Sequence, residues 1–502
     1  MTGLLYFDKN PVLYYFRYIT NGRCRSNEIT GNTAKEKSLD SIHIRSIVVL
    51  AMFSFVFLGT EFFYDNRAAE VVDARKVLLY QSVILLASVV GVFMYALIQK
   101  KAGDNIVKKV LIASNFVGVF ALAGIMFGDE SIILLYGIVF FIIWGMTGCC
   151  TYHVVAGAYT DRKHLTVTVG ISYAAGLFLQ YINYNVIGSM TIRLVVFILA
   201  VVVIVTIFMV YSDTAYAPEK IGDAEQSAGS KSIAFAFVIV ILLMTFIFSE
   251  LDNIVTLVHA EGGADIGQWP RLFLAISGIA AGLLFDIKDQ RFMNQMMYCV
   301  TVLSVIAMLV IEFGGAFLIG LIVFYLAAGF FVVYFTTGFI NVSYTMKWQS
   351  FWAGAGRTIN NIGAGIVGVI SYVIVKTPGI MAMSVTVILL LVFISIAVFV
   401  LESLQKEQYR QYDEEKVMRS SESSSERTEV DFERFADMHG LTGREWEVLQ
   451  KLLISDESIQ KIADELYISR ASLYRHISSM NEKTGTKSRV GLIQYYYSWH
   501  EE

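Results

Sequence analysis

Charge is scarce in this chain. Only 16% of its 502 residues are Asp, Glu, Lys or Arg, while 56% are hydrophobic. Soluble domains carry about a quarter charged residues. The shortage therefore excludes the string of soluble domains that length alone suggests. Cysteine is also scarce. Of Cys24, Cys149, Cys150 and Cys299, three fall in apolar runs and none has metal-ligand spacing. Adjacent Cys149 and Cys150 point in different directions on a helix, so they are poor disulfide partners. They read as buried free thiols. Residues 1–40 lack the basic start, short apolar core and cleavage site of a signal peptide. They mix aromatics with Lys9, Arg17, Arg23 and Arg25 and are broken by Pro11, which suits a cytoplasmic segment at a lipid surface and equally a poorly ordered tail. No nucleophile–base pair or phosphate-cradling glycine loop stands in a soluble part. No catalytic residue, metal or cofactor is therefore expected, and the chain does not read as an enzyme.

What is abundant is long apolar sequence. A helix that crosses a bilayer needs about 20 apolar residues. Twelve such segments centre near Phe53, Leu86, Val117, Phe140, Ala174, Val201, Ile239, Ile279, Val305, Tyr325, Gly368 and Leu390. The longest gap, 212–231, is polar and divides them six and six. The expected organisation is a cytoplasmic segment over 1–42, a membrane domain over 43–402 (halves 43–211 and 232–402), a linker over 403–436 and a soluble domain over 437–502. One set of loops is richer in Lys and Arg, including Lys100, Lys101, Lys108, Lys109, Arg162, Lys163, Lys288, Arg291, Lys347 and Arg357. The other set holds Arg67, Arg75, Lys76, Arg193, Arg271 and Lys376. The positive-inside rule puts the richer set in the cytoplasm. An even number of spans then leaves both termini of a multi-pass inner-membrane protein in the cytoplasm.

Polar groups inside spans are costly and default to function. Glu61, His153, Gln180, Asn183, Glu250 and Asp252 are the candidate ligand residues. Glu61, Glu250 and Asp252 are expected at outer span ends, where a rim would suit cationic or amphipathic ligands. Glycines such as Gly354, Gly356, Gly363 and Gly365 are expected to let helices approach closely.

Twelve spans halved by a loop resemble the major facilitator fold. The stretch from Gly282 to Asp286, continuing to Arg291, resembles that family's G-x-L-x-D-R-x-G-R-R loop. Asp286 and Arg291 keep the charges, whereas Ile287 and Asp289 depart. The equivalent first-half loop, IQKKAGDNIVKK, has lost the Asp-Arg pair. The resemblance implies a latch on the cytoplasmic side, and its decay speaks against transport.

Beyond the last span the composition changes. Arg419 to Val430 is Ser/Glu-rich without an apolar period, and should be flexible. A stretch of this size reaches roughly 20 Å. The tail then reads as four helices. Thr442-x-x-Glu445 is a capping box, opening a stripe of Trp446, Val448, Leu449, Leu452 and Leu453. Asp456 or Ser458 caps the second helix and Ser469 the third, after a turn at Tyr467-Ile468. Two short helices joined tightly, the second freshly capped, are helix-turn-helix geometry. Over 470–489 the basic residues Arg470, Arg475, Lys483, Lys487 and Arg489 face only Glu482. A basic stripe on a slightly acidic domain is an electrostatic footprint for phosphates.

The segment from Leu441 to Leu492 resembles the LuxR-type DNA-binding domain. Leu441, Thr442, Arg444, Glu445, Glu447, Val448 and Leu449 match its L-T-x-R-E-x-E-V-L opening. Ile462, Ala463, Leu466, Ile468 and Ser469 match its I-A-x-x-L-x-I-S run, and His476, Lys483, Gly485, Arg489 and Leu492 complete it. The resemblance implies that the third helix enters the major groove. Ser469, Arg470, Ser472, Arg475 and His476 would lie near double-stranded DNA, with Lys487 and Arg489 on phosphates. Leu492, Tyr495 and Tyr496 would form a homodimer surface. Ala471 and Tyr474 stand where the family often has basic residues.

The expected fold is thus all-α, a bundle of about twelve spans in the lipid bilayer followed by a small four-helix domain. The expected function is a one-component transcriptional regulator whose membrane part senses a small-molecule effector or the membrane state. The alternative is a secondary transporter with a fused regulatory tail.

Overall fold

Every apolar run becomes a helix, because helices satisfy their backbone hydrogen bonds internally wherever water is absent. The structure, a computed structural model, describes residues 32–499 except 103, 130–131, 160–161, 163, 211–227, 264, 313, 375–385, 409, 411–433 and 455–457. The N-terminal segment to residue 31, most of the central loop, the serine-rich linker, Lys163, Lys376 and Asp456 lie outside the described residues. Two compact units are present, Met1–Lys406 and Glu407–Glu502.

In the first unit α1 (Asn32–Val71), α2 (Ala74–Lys101), α3 (Asp104–Phe127), α4 (Ile133–Ala158), α5 (Leu165–Asn185) and α6 (Met190–Val210) form one half. The other half is α7 (Ala228–Ala260), α8 (Leu272–Phe285), α9 (Met293–Glu312), α10 (Phe317–Ser343), α11 (Gln349–Ile374) and α12 (Thr386–Gln408). Each contains one predicted centre. Among the described residues nine are long and apolar enough to cross a membrane. Two shorter apolar stretches are Trp269–Phe285, which holds α8, and Met293–Ala307 within α9. α11 is diluted by Arg357, Asn360 and Asn361.

The halves repeat one pattern of neighbours. α1 packs on α5, and α2 and α3 pack on α4; six helices later α7 packs on α11, and α8 and α9 pack on α10. The halves meet where α2 packs on α11 and α5 on α8. Glycine sets the distance of the tightest contact. A Cβ on Gly91 would lie 1.8 Å from the Ile142 carbonyl oxygen, and one on Gly145 2.0 Å from that of Ser88. α2 and α4 therefore touch backbone to backbone. Gly145→Ala should destabilise the bundle by roughly 3 kcal/mol, the upper end for overpacking; the yield of monodisperse protein after detergent extraction checks this.

The loop that keeps Asp286 and Arg291 bridges the halves. Asp286 accepts from Thr166 Oγ1 at 2.9 Å and lies 3.1 Å from His164 Nδ1, both at the start of α5. Gln290 Nε2 donates to the Arg162 carbonyl at 3.4 Å, and within the second half its Oε1 accepts from Asn341 Nδ2 at 2.6 Å.

Several charges lie elsewhere than hydropathy suggests. α1 continues ten residues past Glu61, α7 past Glu250 and Asp252 to Ala260, and α4 past His153 to Ala158. The helices therefore run on past these residues. Arg357 is inside α11 and not in a loop. Arg193 belongs to α6 and folds back, donating to the Tyr184 and Ile187 carbonyls at 2.7 and 2.6 Å. It caps the end of α5, which otherwise leaves carbonyls unpaired. A hydropathy minimum marks a charge. Helical backbone continues past that charge when neighbouring helices surround it.

The second unit holds α13 (Gly443–Ile454), α14 (Ile459–Glu465), α15 (Arg470–Thr484) and α16 (Arg489–Trp499). Phe435, Val448, Leu449, Leu452, Ile462, Ala463, Leu473, Ile477, Met480, Leu492 and Tyr496 make its core.

Candidate nucleic-acid interface and buried charge cluster

The tail is fixed by its caps. Thr442 N donates to Glu445 Oε2 at 2.7 Å, and Glu445 N points back to Thr442 Oγ1 at 3.4 Å, closing the capping box. Ser458 caps α14 and Ser469 caps α15, accepting from Lys461 N and Ser472 N. Ser488 Oγ accepts from Gly491 N at 3.0 Å at the start of α16. Gly485, at φ 72°, ends α15 in the left-handed conformation, which suits glycine.

The capping carboxylate does more than cap. Glu445 is 4% exposed, so it takes the inward place expected of Trp446. It accepts from Ser479 Oγ and Lys483 Nζ, both at 2.6 Å, and so ties α13 to α15. Burial raises its carboxyl pKa, but the hydrogen bonds from Lys483, Ser479 and Thr442 outweigh that and hold it at about 2. Lys483 also donates to the Gly440 carbonyl at 2.9 Å. Its charge is spent inside the domain, which removes it from the basic stripe.

The other cations stay outward. Arg470, Arg475 and Lys487 are exposed, Arg489 and His476 half-exposed. α15 buries Leu473, Ile477 and Met480, so Arg475 lies on its outer side. Ser469 and Ser472 are joined by the cap bond at 3.2 Å. The structure thus brings the predicted DNA-facing residues together on α15 and at the start of α16.

The expected dimer residues are corrected. Leu492 and Tyr496 are 0% and 2% exposed and pack in the domain's own core. Tyr495 is half-buried against Phe435 and His439. An i, i+4 apolar pair on the last helix of a small domain is needed to close that core. The outward apolar residues of α16 are Val490 and Tyr497.

The turn before α15 carries strain. Tyr467 has φ 55° and is 95% exposed. A left-handed non-glycine residue costs about 1–2 kcal/mol, and this ring recovers none of it by burial. Tyr467→Gly should stabilise the domain by roughly 0.5–1 kcal/mol after the greater freedom of unfolded glycine is subtracted. Slower hydrogen exchange of the α14 and α15 amides would report it.

The membrane unit holds a second cluster. Glu61 shares its electrostatic surroundings with Asp252, Arg357 and Arg271, and Gln81 lies beside both Glu61 and Asp252. Asp65, one turn after Glu61, interacts with Glu61, Asp252 and Arg271. Arg271 Nε donates to Gln180 Oε1 at 3.2 Å and its guanidinium lies 5.1 Å from the Phe62 ring. The Arg357 guanidinium lies between Phe57 and Phe335, at 4.9 and 5.3 Å. Asp65 Oδ1, Arg357 Nε and both amide atoms of Asn183 have no hydrogen-bond partner among the described residues.

Of the expected ligand residues, Glu61, Gln180 and Asp252 come together here. Glu250 is elsewhere, accepting from Ser371 Oγ at 2.8 Å, and His153 pairs with Tyr95 OH at 3.2 Å. Asn183 is buried three residues from Gln180. Sequence reasoning missed Asp65, Gln81, Arg271 and Arg357 as members. The Glu61-x-x-x-Asp65 spacing, which puts two carboxylates on one helical face, was a usable signal.

Residues 439–496 match the family described as bacterial regulatory proteins, luxR family. No curated protein matches the chain. Among solved structures, the chain is similar to a mutant of the nucleoside transporter NupG (TM-score 0.44, 14% identity, covering 72% of this chain and 99% of that one). It is also similar to a mutant of the E.coli fucose:proton symporter FucP (TM-score 0.47, 12% identity, covering 72% and 98%).

Proposed function

We propose that this chain, whose residues 439–496 are a luxR-family domain, is a membrane-embedded one-component transcription regulator. The supporting observation is the capped helix-turn-helix with Arg470 and Arg475 outward on α15. That helix enters the major groove of double-stranded DNA, and Lys487 and Arg489 hold phosphates at the start of α16. The domain acts as a homodimer, with Val490 and Tyr497 supplying the outward apolar contacts.

The protein lies in the inner membrane with both ends cytoplasmic. The excess of Lys and Arg in one set of loops supports this orientation, and it leaves the tail on the side where DNA is. The membrane unit is the sensor. Its two halves can take two arrangements, and an effector shifts them by binding one better than the other. Glu61, Asp252, Arg271 and Arg357 are the groups that feel the effector, because charges inside a membrane bundle are retained at a cost. The arrangement controls whether two tails pair.

Genome-wide mapping of DNA bound by the full chain tests the reading. Discrete sites are expected, and they should vanish for Arg475→Ala with Lys487→Ala. An unchanged map would exclude the assigned surface. Tail cross-linking in membranes that never varied with growth condition would exclude the sensing step. Glu61→Gln with Asp252→Asn should abolish that variation by about 10-fold or more while basal DNA binding persists, since a typical coupling between sites is about 1–3 kcal/mol.

A further inference from the structure

α15 buries Leu473, Ile477 and Met480, yet it also carries a large ring outside. Tyr474 is 49% exposed and belongs to neither the core of the tail nor the residues packed against it. Arg470 stands one helical turn before it and Arg475 directly after it. The Arg470 guanidinium carbon lies 5.7 Å from the centre of the Tyr474 ring, within the range of a cation–π contact. Arg470 is also the first residue of α15, next to the Ser469 cap. Its backbone is fixed by the cap and its far end by the ring.

Two features of the major groove match such a pair. Guanine presents O6 and N7 to an arginine fork, and thymine presents the C5 methyl, the apolar group of that edge. We infer that Arg470 and Tyr474 together read a thymine–guanine step, Arg470 gripping the guanine while the Tyr474 ring packs on the methyl of the neighbouring thymine. This rests on the DNA-reading assignment above. A free arginine would accept guanine beside any base pair. A guanidinium held on a ring makes the neighbour matter, because ring and fork arrive together. Holding Arg470 in advance also reduces the side-chain freedom lost on binding. Tyr474 is thus a specificity-determining residue at a position where a basic side chain would only add charge.

The full chain in lipid nanodiscs, as wild type, Tyr474→Ala and Tyr474→Phe, is used to select duplexes from a randomised library. Wild type should enrich a thymine–guanine step at a fixed place in each half-site. Replacing that thymine by deoxyuridine removes only the methyl. It should weaken wild type and Tyr474→Phe roughly four-fold, the transfer value of one buried methyl group. Tyr474→Ala should change by less than about two-fold. The salt dependence should be the same for all three, because no phosphate contact has changed. Equal responses of wild type and Tyr474→Ala to the lost methyl would overturn the inference, as would a selected guanine with no fixed thymine beside it. If wild type enriches no duplex at all, the DNA-reading assignment itself fails and this inference with it.

Discussion

Arg475→Ala combined with Lys487→Ala is expected to weaken binding of the full chain to its selected DNA by roughly 30-fold per protomer at about 0.15 M salt. The size follows from counterion release. Each cation lost from the DNA interface, whether it faces the groove or a phosphate, releases about 0.9 fewer counterions and costs roughly five-fold at that ionic strength. The slope should therefore fall by about two. Both side chains are exposed, so the fold should survive. Lys483 supplies the contrast. It lies on the same helix as Arg475, but its ammonium is bonded to Glu445 and the Gly440 carbonyl. Lys483→Ala should leave the salt slope unchanged and destabilise the domain instead. If Lys483→Ala changed the slope as much as the double variant, the division between structural and DNA-facing cations would be wrong.

Glu445→Ala is expected to destabilise the tail by roughly 3 kcal/mol, as much as truncating one of its core side chains. It removes a helix cap worth about 1 kcal/mol, the bond from Ser479, and the partner of Lys483, leaving that ammonium half-buried and unpaired. The same carboxylate sets a pH dependence. Its folded pKa of about 2 lies below the unfolded glutamate value near 4.3. The stabilisation is therefore fully present above the unfolded value and is lost as pH falls from about 4 towards 2. Hydrogen exchange of tail amides along a pH series should show wild type losing protection in that window. Glu445→Gln, already weaker at neutral pH, should not lose more there. A wild-type profile parallel to that of Glu445→Gln would refute the assignment.

The sequence made the caps legible because they are local. Ser469 accepts from a backbone N–H three residues away, and Thr442 and Glu445 exchange bonds over the same distance. Spacing alone specifies such contacts. The twelve apolar segments were legible for a similar reason, since a helix needs only its own residues to satisfy its backbone. Leu492 and Tyr496 were misplaced because periodicity gives an apolar face but not what covers it. Here Phe435 covers Tyr496, their ring centroids 5.1 Å apart.

The buried cluster was legible only in part. Glu61, Gln180 and Asp252 were visible as polar residues in apolar surroundings. Hydropathy places Arg271 and Arg357 in loops, since a charge normally ends an apolar window. What holds Arg357 in a helix is Phe57 from α1 and Phe335 from α10, residues hundreds of positions apart along the chain. No local pattern encodes that meeting.

Sequence by itself therefore determined that this chain has a lipid-compatible helical body and a capped helix-turn-helix tail, because helical period, capping and apolar length are properties of neighbours in the chain. Tertiary structure alone decided which cations remain outside and which are neutralised within, and which distant charges meet among the spans. Those outcomes depend on residues brought together across the fold, where burial and pairing rather than spacing fix the electrostatics.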